Sequence, residues 1–370
     1  MLLAGNSVGK EFVVTCFGES HGRCVGVIVD GCPAGLQLSE QDFQTEVKKR
    51  IPPQPEIVSA RREKDLVEVL AGIFNGFTTG APICTLVWNK EAISTDYEQI
   101  RDTPRPGHAD YPARIKYGGF NDYRGGGRFS GRTTVAFMMA GAVAKKLLGL
   151  FNVEVLAYSI EIGEVKVKKK LKLEEIRRNT YKSAVRCPDL ESAKAMKEAI
   201  LKAKNEGDSV GGIVECVVMN VPVGVGEPIF DSLDADIAKM LFDVPAVKGV
   251  EFGTGFKAAQ LKGSENNDTY AMRGGKIVAL TNNAGGVLGG LSSGMPILVR
   301  AAVKPTSSIS KEQKTIDLSK MEETMIQIRG RHDPCIVPKA VSVIESVVAV
   351  VLVDHMLRAG IIPKVLQEQK

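Results

Sequence analysis

Between Arg105 and Thr134 the chain reads RPGHADYPARIKYGGFNDYRGGGRFSGRTT, which sets His108 among five arginines and seven glycines. Guanidinium forks match paired anionic oxygens, so this density points to phosphate or carboxylate. The run Gly125-Gly126-Gly127 lets backbone approach a ligand closely and present its N–H groups. The apolar stretch Thr133–Leu148 that follows reads as a helix, whose N-terminus also favours anions. A solvated basic loop with turn glycines is the plain alternative, and it leaves the histidine and the clustered arginines unexplained.

The chain has only four histidines. His21 lies in the loop Phe17-Gly-Glu-Ser-His-Gly22, beside Ser20. His108 lies in Arg-Pro-Gly-His-Ala-Asp, and His332 in Arg331-His-Asp-Pro. His355 falls in an apolar C-terminal helix and reads as structural. Imidazole titrates near neutrality, so His21 and His108 are the candidate proton donors. Gly18-Glu-Ser-His-Gly22 also fits the Gly-x-Ser-x-Gly hydrolase elbow. That elbow needs a strand-to-helix turn, whereas the flanks Phe12–Phe17 and Val25–Asp30 both read as strands. No His-x-x-x-His or Cys-x-x-Cys spacing suggests a metal, and neither a dinucleotide fingerprint nor a P-loop occurs. Lys304-Pro-Thr-Ser-Ser308 offers one ammonium and three hydroxyls. Together with the glycine-rich Asn283–Gly290 it suits a phosphate-bearing cofactor; an ordinary Ser/Thr turn is the alternative.

These residues need a scaffold, and 370 residues with 44% hydrophobic and 25% charged content suffice for one large domain or two ordinary ones. A net charge of +5 and a single tryptophan argue against nucleic acid. Seven cysteines, an odd number, suggest reduced thiols and a cytoplasmic protein. The N-terminus lacks a signal-peptide core, and the apolar run Val347–Val353 is too short to span a bilayer, so no membrane partner is expected. Ser39 should cap a helix running through Phe43 and Val47 to Arg50, ended by Pro52 and Pro53. Strands are expected over Leu66–Phe74, Pro82–Trp88, Val153–Gly163 and Gly211–Val221. Helices are expected over Leu173–Arg178, Leu190–Lys204, Asp231–Phe242 and around Val341–Leu357. The lysines between Lys166 and Lys172 read as a solvated face.

The chain also echoes itself. Gly76-Phe-Thr-Thr-Gly-Ala-Pro-Ile83 is matched by Gly290-Leu-Ser-Ser-Gly-Met-Pro-Ile297. Each is preceded by strand, turn and helix, and followed by an Arg/His/Asp loop and an apolar helix. Two halves of one fold, each giving a loop to a shared site, would explain this. Chance likeness of glycine, serine and proline turns is the competing account.

Taken in order, Phe17–Gly22, Arg105–Tyr111, Asp122–Arg128, Ser130–Arg132, Gly207–Gly212, Ala246–Glu251, Asn283–Gly290, Lys304–Ser308 and Gly330–Cys335 resemble chorismate synthase over almost the whole chain. The resemblance implies an α+β fold: an internally duplicated sandwich of helices between two antiparallel β-sheets, in one domain over 1–370. Its halves would be roughly 10–150 and 205–360, assembled as a homotetramer. It implies elimination of phosphate from 5-enolpyruvylshikimate 3-phosphate to give chorismate, with reduced FMN (FMNH2) required but no net redox change. His21 would protonate the leaving phosphate, and His108 the reduced flavin. Asp333 would assist proton removal, and Ser20 and Ser130 would support the site. FMN contacts would fall on Arg128, Phe129, Ser130, Pro245, Ala246, Gly289, Lys304, Pro305, Thr306, Ser307, Ser308 and Arg331. Arg50, Arg105 and Arg132 would meet substrate or NADP anions.

Two residues depart from the family pattern. Glu56 stands where many bacterial relatives carry an arginine, and Pro245 replaces a common asparagine. Some family members reduce FMN with NADPH and others use flavin reduced elsewhere. The absent nucleotide fingerprint and Glu56 point to the second case, with a separate flavin reductase as partner.

Overall fold

The computed structural model describes residues 5–52, 55–57, 65–90, 100–328 and 332–366. In the first half, β1 (Ser7–Val8), β2 (Val13–Gly18) and β3 (Cys24–Asp30) run antiparallel and lead to α1 (Glu40–Lys49). Ser39 precedes α1 as expected, and its N–H donates to Asp42 Oδ2 at 2.8 Å. Then come β4 (Val67–Ala71), the small hairpin β5 (Ile73–Phe74) with β6 (Phe77–Thr78), and β7 (Ile83–Trp88). The strand expected over Leu66–Phe74 is therefore two strands, broken where Gly72 takes φ +88°. After α2 (Asp110–Lys116) the half ends in α3 (Thr134–Gly149).

The second half opens on β8 (Glu154–Ile162) and β9 (Val165–Lys166), followed by α4 (Leu173–Asn179) and α5 (Leu190–Asn205). Next are β10 (Gly212–Met219), α6 (Leu233–Phe242), β11 (Val247–Phe252) and α7 (Gly263–Asn266). Two hairpins follow, β12 (Tyr270–Arg273) with β13 (Lys276–Ala279), and β14 (Val287–Leu288) with β15 (Leu291–Ser292). The chain closes with β16 (Ile297–Val303), the hairpin β17 (Gln313–Asp317) and β18 (Glu322–Ile326), and α8 (Val337–Arg358).

One five-stranded sheet has the order β1-β2-β3-β7-β4 and the other β9-β8-β10-β16-β11, so the shared four strands follow one plan. The correspondence reaches single atoms. In the first half Leu36 N–H donates to Thr78 Oγ1 (2.9 Å), which donates on to the Pro33 carbonyl (2.6 Å). In the second, Val225 N–H donates to Ser292 Oγ (2.8 Å), which donates on to the Pro222 carbonyl. Thr78 and Ser292 are the third residues of the two matching sequence stretches. The fold is thus an internally duplicated α+β sandwich.

The central helices α3 and α8 lie between the sheets, with α3 against β2 and β3 and α8 against β8 and β10. They cross closely, because a Cβ on Gly141 would come within 2.3 Å of Ser346 Cβ. Every residue of α8 from Val337 to Leu357 is buried except Lys339, which reaches toward the cavity described below. Among the described residues it is the one helix long and apolar enough to cross a membrane, and its apolar window is wholly packed inside the protein. The core carries one ionic node. Lys145 of α3 meets Glu46 of α1 and Glu345 of α8, and Tyr181 donates to Glu345 at 2.8 Å. Burial opposes the Lys145 charge, but the two carboxylates outweigh it and raise the pKa.

Candidate active site

The two connections that enter α3 and α8, residues 105–133 and the described residues 304–328 and 332–336, meet across one cavity of about 1470 Å³. The hairpin β17–β18 braces the first of them: Thr315 Oγ1 donates to the Pro104 carbonyl (2.6 Å) and Leu318 N–H to that of Asp102 (2.8 Å). The helix α2 lies inside the stretch read from sequence as a glycine and arginine loop.

The triple glycine forms a tight turn with φ of +59°, +82° and +52° at Gly125, Gly126 and Gly127. A Cβ on Gly125 would fall 2.5 Å from His21 Nε2, and one on Gly126 would fall 3.3 Å from His108 Nε2. The turn is therefore where the two histidines converge, His21 against one glycine and His108 against the next. His108 and Gly125 line the cavity, whereas His21 lies behind Gly125 and Ser20. Residues Gly18–Gly22 join two antiparallel strands, and Ser20 is buried, so the strand-to-helix hydrolase elbow is absent.

Each histidine has an acidic neighbour. His108 Nδ1 lies 2.6 Å from Asp110 Oδ1. Burial works against the Asp110 charge, but hydrogen bonds from Arg105 and His108 prevail and hold its carboxyl well below the usual range. An ionised carboxylate can only accept, so Nδ1 carries the proton and Nε2 is the exchangeable position. For Asp122 burial likewise opposes ionisation, while Arg124 and, more weakly, His21 favour it, with a lowered pKa as the result.

The arginines divide by what they hold. Arg105 grips both Asp110 oxygens, each at 2.7 Å, and reaches Ser308 Oγ at 3.1 Å, tying the two connections together. Arg128 donates to Gly18 O (2.9 Å), Cys16 O (3.1 Å) and Asn6 Oδ1 (2.7 Å), all neutral, so among the described residues no carboxylate cancels its charge. Arg50 and Arg132 converge on Asp65. Burial raises the Asp65 pKa, but the two arginines overcome this and bring it below the ordinary value.

Lys304 Nζ donates to Gly107 O (3.0 Å) and Ser307 Oγ (2.9 Å). Burial and the nearby Lys248 charge lower its pKa. Thr306 Oγ1 and Arg50 Nε, both on the cavity wall, are buried polar atoms that no described residue satisfies. Such orphaned donors and the uncancelled charges fit a phosphorylated ligand. Pro245 and Ala246 also line the cavity, Ala246 with φ +72°, and the Ala246 carbonyl accepts from Lys304 N–H at 2.9 Å. Cys16 faces it too, but burial drives its pKa up to about 12, so it stays a neutral thiol.

Phe129, Ser130, Pro305 and Asp333 complete the expected wall, with Ser130 Oγ accepting from Arg132 N–H at 3.3 Å. Lys339 donates to both Asp333 oxygens, at 2.8 and 2.7 Å. Gly289 is not brought to this cavity; it is exposed in the two-residue turn between β14 and β15. Arg331 lies outside the described residues. Asp65 and Lys339 also line the cavity and were not anticipated as site residues; His332, read from sequence only as part of the Arg331–Asp333 loop, lines it too. Glu56 lies off the cavity wall and pairs with Lys197 at 2.8 Å, so the negative charge it introduces is balanced locally.

Duplicated sheets around a cavity of arginines and convergent histidines define an enzyme that acts on a small polyanion. The family model of chorismate synthase matches residues 12–357. A chorismate synthase of Dehalococcoides mccartyi (strain BAV1) is 53% identical over 363 residues, covering 98% of this chain and all of its own length. That of Korarchaeum cryptofilum is 53% identical over 357 residues, 96% of this chain and 99% of its own. A crystal structure of chorismate synthase superposes with a TM-score of 0.75 at 30% identity, covering 95% of this chain and 93% of that one. The chain belongs to the chorismate synthase family.

Proposed function

We propose that this cavity carries out the family's reaction: loss of phosphate from 5-enolpyruvylshikimate 3-phosphate by anti-1,4-elimination, giving chorismate. The activity is that of a carbon–oxygen lyase in the shikimate pathway of aromatic amino acid biosynthesis. The observation that carries the residue assignment is the Gly125-Gly126 turn, against which both histidines pack, His108 on the arginine-lined wall and His21 directly behind Gly125.

In this reading Arg50 and Arg132 hold substrate anions and keep the ring oriented. His21 delivers a proton to the departing phosphate. Lys304, Thr306, Ser307 and Ser308 would hold the phosphate of FMN, and Arg128, Phe129, Ser130, Pro245 and Ala246 would supply the rest of its binding surface. Reduced FMN, when bound, supplies electron density that relieves the ring as phosphate leaves. His108 holds a proton at Nε2, with Asp110 fixing its tautomer. Asp333, oriented by Lys339, takes up the proton lost from carbon. Arg105 acts mainly by binding the two cavity connections together.

The whole described chain forms one domain of two halves, the first roughly 10–150 and the second taken back from 205–360 to include β8 at Glu154–Ile162; the matching strand order supports this division. A homotetramer is supported by the exposed Tyr270, Met272 and Ile277 on β12–β13. A cytoplasmic location agrees with seven free cysteines. A separate flavin reductase supplies the reduced FMN; the support is the missing nucleotide fingerprint, since Glu56 is neutralised by Lys197. The test is anaerobic incubation with substrate and either chemically reduced FMN or oxidised FMN plus NADPH. Chorismate should form in the first mixture and hardly at all in the second. No chorismate in the first removes the lyase assignment; sustained turnover in the second removes the external reductase.

A further inference from the structure

Asp65 is a buried carboxylate on the cavity wall, 4% exposed, at the entry to β4. Its Oδ2 accepts from Arg50 Nη2 at 2.9 Å, and its Oδ1 accepts from Arg132 Nη1. These arginines come from separate elements: Arg50 caps the C-terminus of α1, and Arg132 sits in the turn before α3. Arg132 Nε also donates to Asn89 Oδ1 at 2.9 Å.

The backbone around this carboxylate is held independently. Gln44 Nε2 donates to the Asp65 carbonyl at 2.8 Å. The buried Arg186 donates through Nη2 to the carbonyls of Lys49 (2.9 Å) and Ile51 (3.1 Å), on either side of Arg50. Main-chain position is thus set by Gln44 and Arg186. What remains for the Asp65 carboxylate is the direction of the two guanidinium planes.

We infer that Asp65 is a positioning residue, one carboxylate that holds Arg50 and Arg132 side by side as a single receptor for anionic oxygens of the substrate. This rests on the proposed function. Phosphate or carboxylate oxygens of either substrate or flavin could meet such a pair. The Lys304–Ser308 cradle offers the flavin phosphate its own site, so the pair is assigned to the substrate. Positioning and plain electrostatics predict opposite signs. If Asp65 only added negative charge, removing it would tighten anion binding. If it aligns the arginines, removing it loosens binding although the wall becomes more positive.

The experiment compares wild type, Asp65→Asn and Asp65→Glu. It measures KM and kcat for 5-enolpyruvylshikimate 3-phosphate with reduced FMN, and FMN affinity by fluorescence. Asp65→Asn should raise KM by about 10-fold or more, with kcat changed by no more than about 3-fold, because ground-state and transition-state binding are lost together. Flavin affinity should stay within about 2-fold, as the Lys304 cradle is untouched. Asp65→Glu keeps the charge and moves it by one methylene, and its KM should also rise. If Asp65→Asn does not fold, Asp65→Glu decides alone. An unchanged or lower KM in the variant that folds overturns the inference. A rise in flavin dissociation without a rise in KM overturns the assignment to substrate. A wild type with no lyase activity fails the proposed function instead, and is recognised before any variant is compared.

Discussion

His108 Nδ1 donates to Asp110 Oδ1 across 2.6 Å, and Arg105 Nη2 donates to the same oxygen at 2.7 Å. One carboxylate oxygen thereby fixes both the tautomer of the imidazole and the arginine that closes the wall. Asp110→Asn keeps the shape but offers a weaker, neutral acceptor. Turnover should fall by roughly 10²-fold, the scale of a misdirected general acid. FMN should still bind. Turnover within a few-fold of wild type would separate Asp110 from the work of His108.

Gly125 and Gly127 should fail differently. A side chain at Gly127 would meet the Asp122 carbonyl at 2.0 Å, which is immovable backbone. A Cβ at Gly125 would instead meet the His21 ring. Both also impose a positive φ on a non-glycine residue; at Gly125, close to the left-handed region, this costs roughly 1–2 kcal/mol, whereas Gly127 at ψ −123° lies outside that region. Gly125→Ala should therefore fold yet lose activity by roughly 10²-fold, as a displaced proton donor requires. Gly127→Ala should lose thermal stability first. Thermal melts and assays on both variants check this; an active Gly125→Ala would mean His21 need not sit against the turn.

The folded pKa values of Asp65 and Asp110 are both lowered, with burial opposing and the arginines prevailing. The stability they contribute is present above the unfolded aspartate pKa of about 3.9 and is lost as pH falls from there through the folded values. The melting temperature of wild type should exceed that of Asp65→Asn near neutrality, and the gap should narrow on acidification below about pH 4. A gap that widens toward acid would give the wrong sign for a carboxylate held by arginines.

Lys145 joins Glu46 and Glu345 in the core. Lys145→Met leaves two carboxylates facing each other without their cation. Breaking such a buried set by removing one member costs about 3–5 kcal/mol. Chemical unfolding would measure it, and a loss below about 1 kcal/mol would place the node among exposed ion pairs.

Much of this arrangement was legible in the sequence, for identifiable reasons. His21, His108 and Lys304–Ser308 stand in short glycine- or proline-marked loops where nothing apolar competes for the assignment. The Gly76–Ile83 and Gly290–Ile297 echo was readable because a hydroxyl must sit at Thr78 and Ser292 to bond the preceding turns. Asp65 was not legible. It ends the charged run Arg-Arg-Glu-Lys-Asp, and sequence alone cannot say which member of such a run is buried. Lys339 was hidden similarly, one polar residue at the start of an apolar helix. Gly289 illustrates the converse: a glycine in a family motif can serve a hairpin turn, as its place between β14 and β15 shows. The strand β11 escaped because Gly249 and its charged neighbours break the apolar pattern, and its edge position in the sheet tolerates that.

The proposed reaction is an elimination that needs reduced flavin without consuming it. The direct measurement is the amount of chorismate formed per FMN supplied, with chemically reduced FMN limiting, substrate in excess and oxygen excluded. Product should exceed flavin many-fold, with the flavin still reduced when substrate is exhausted. Product that stops at one equivalent per flavin, with the flavin oxidised, would contradict it.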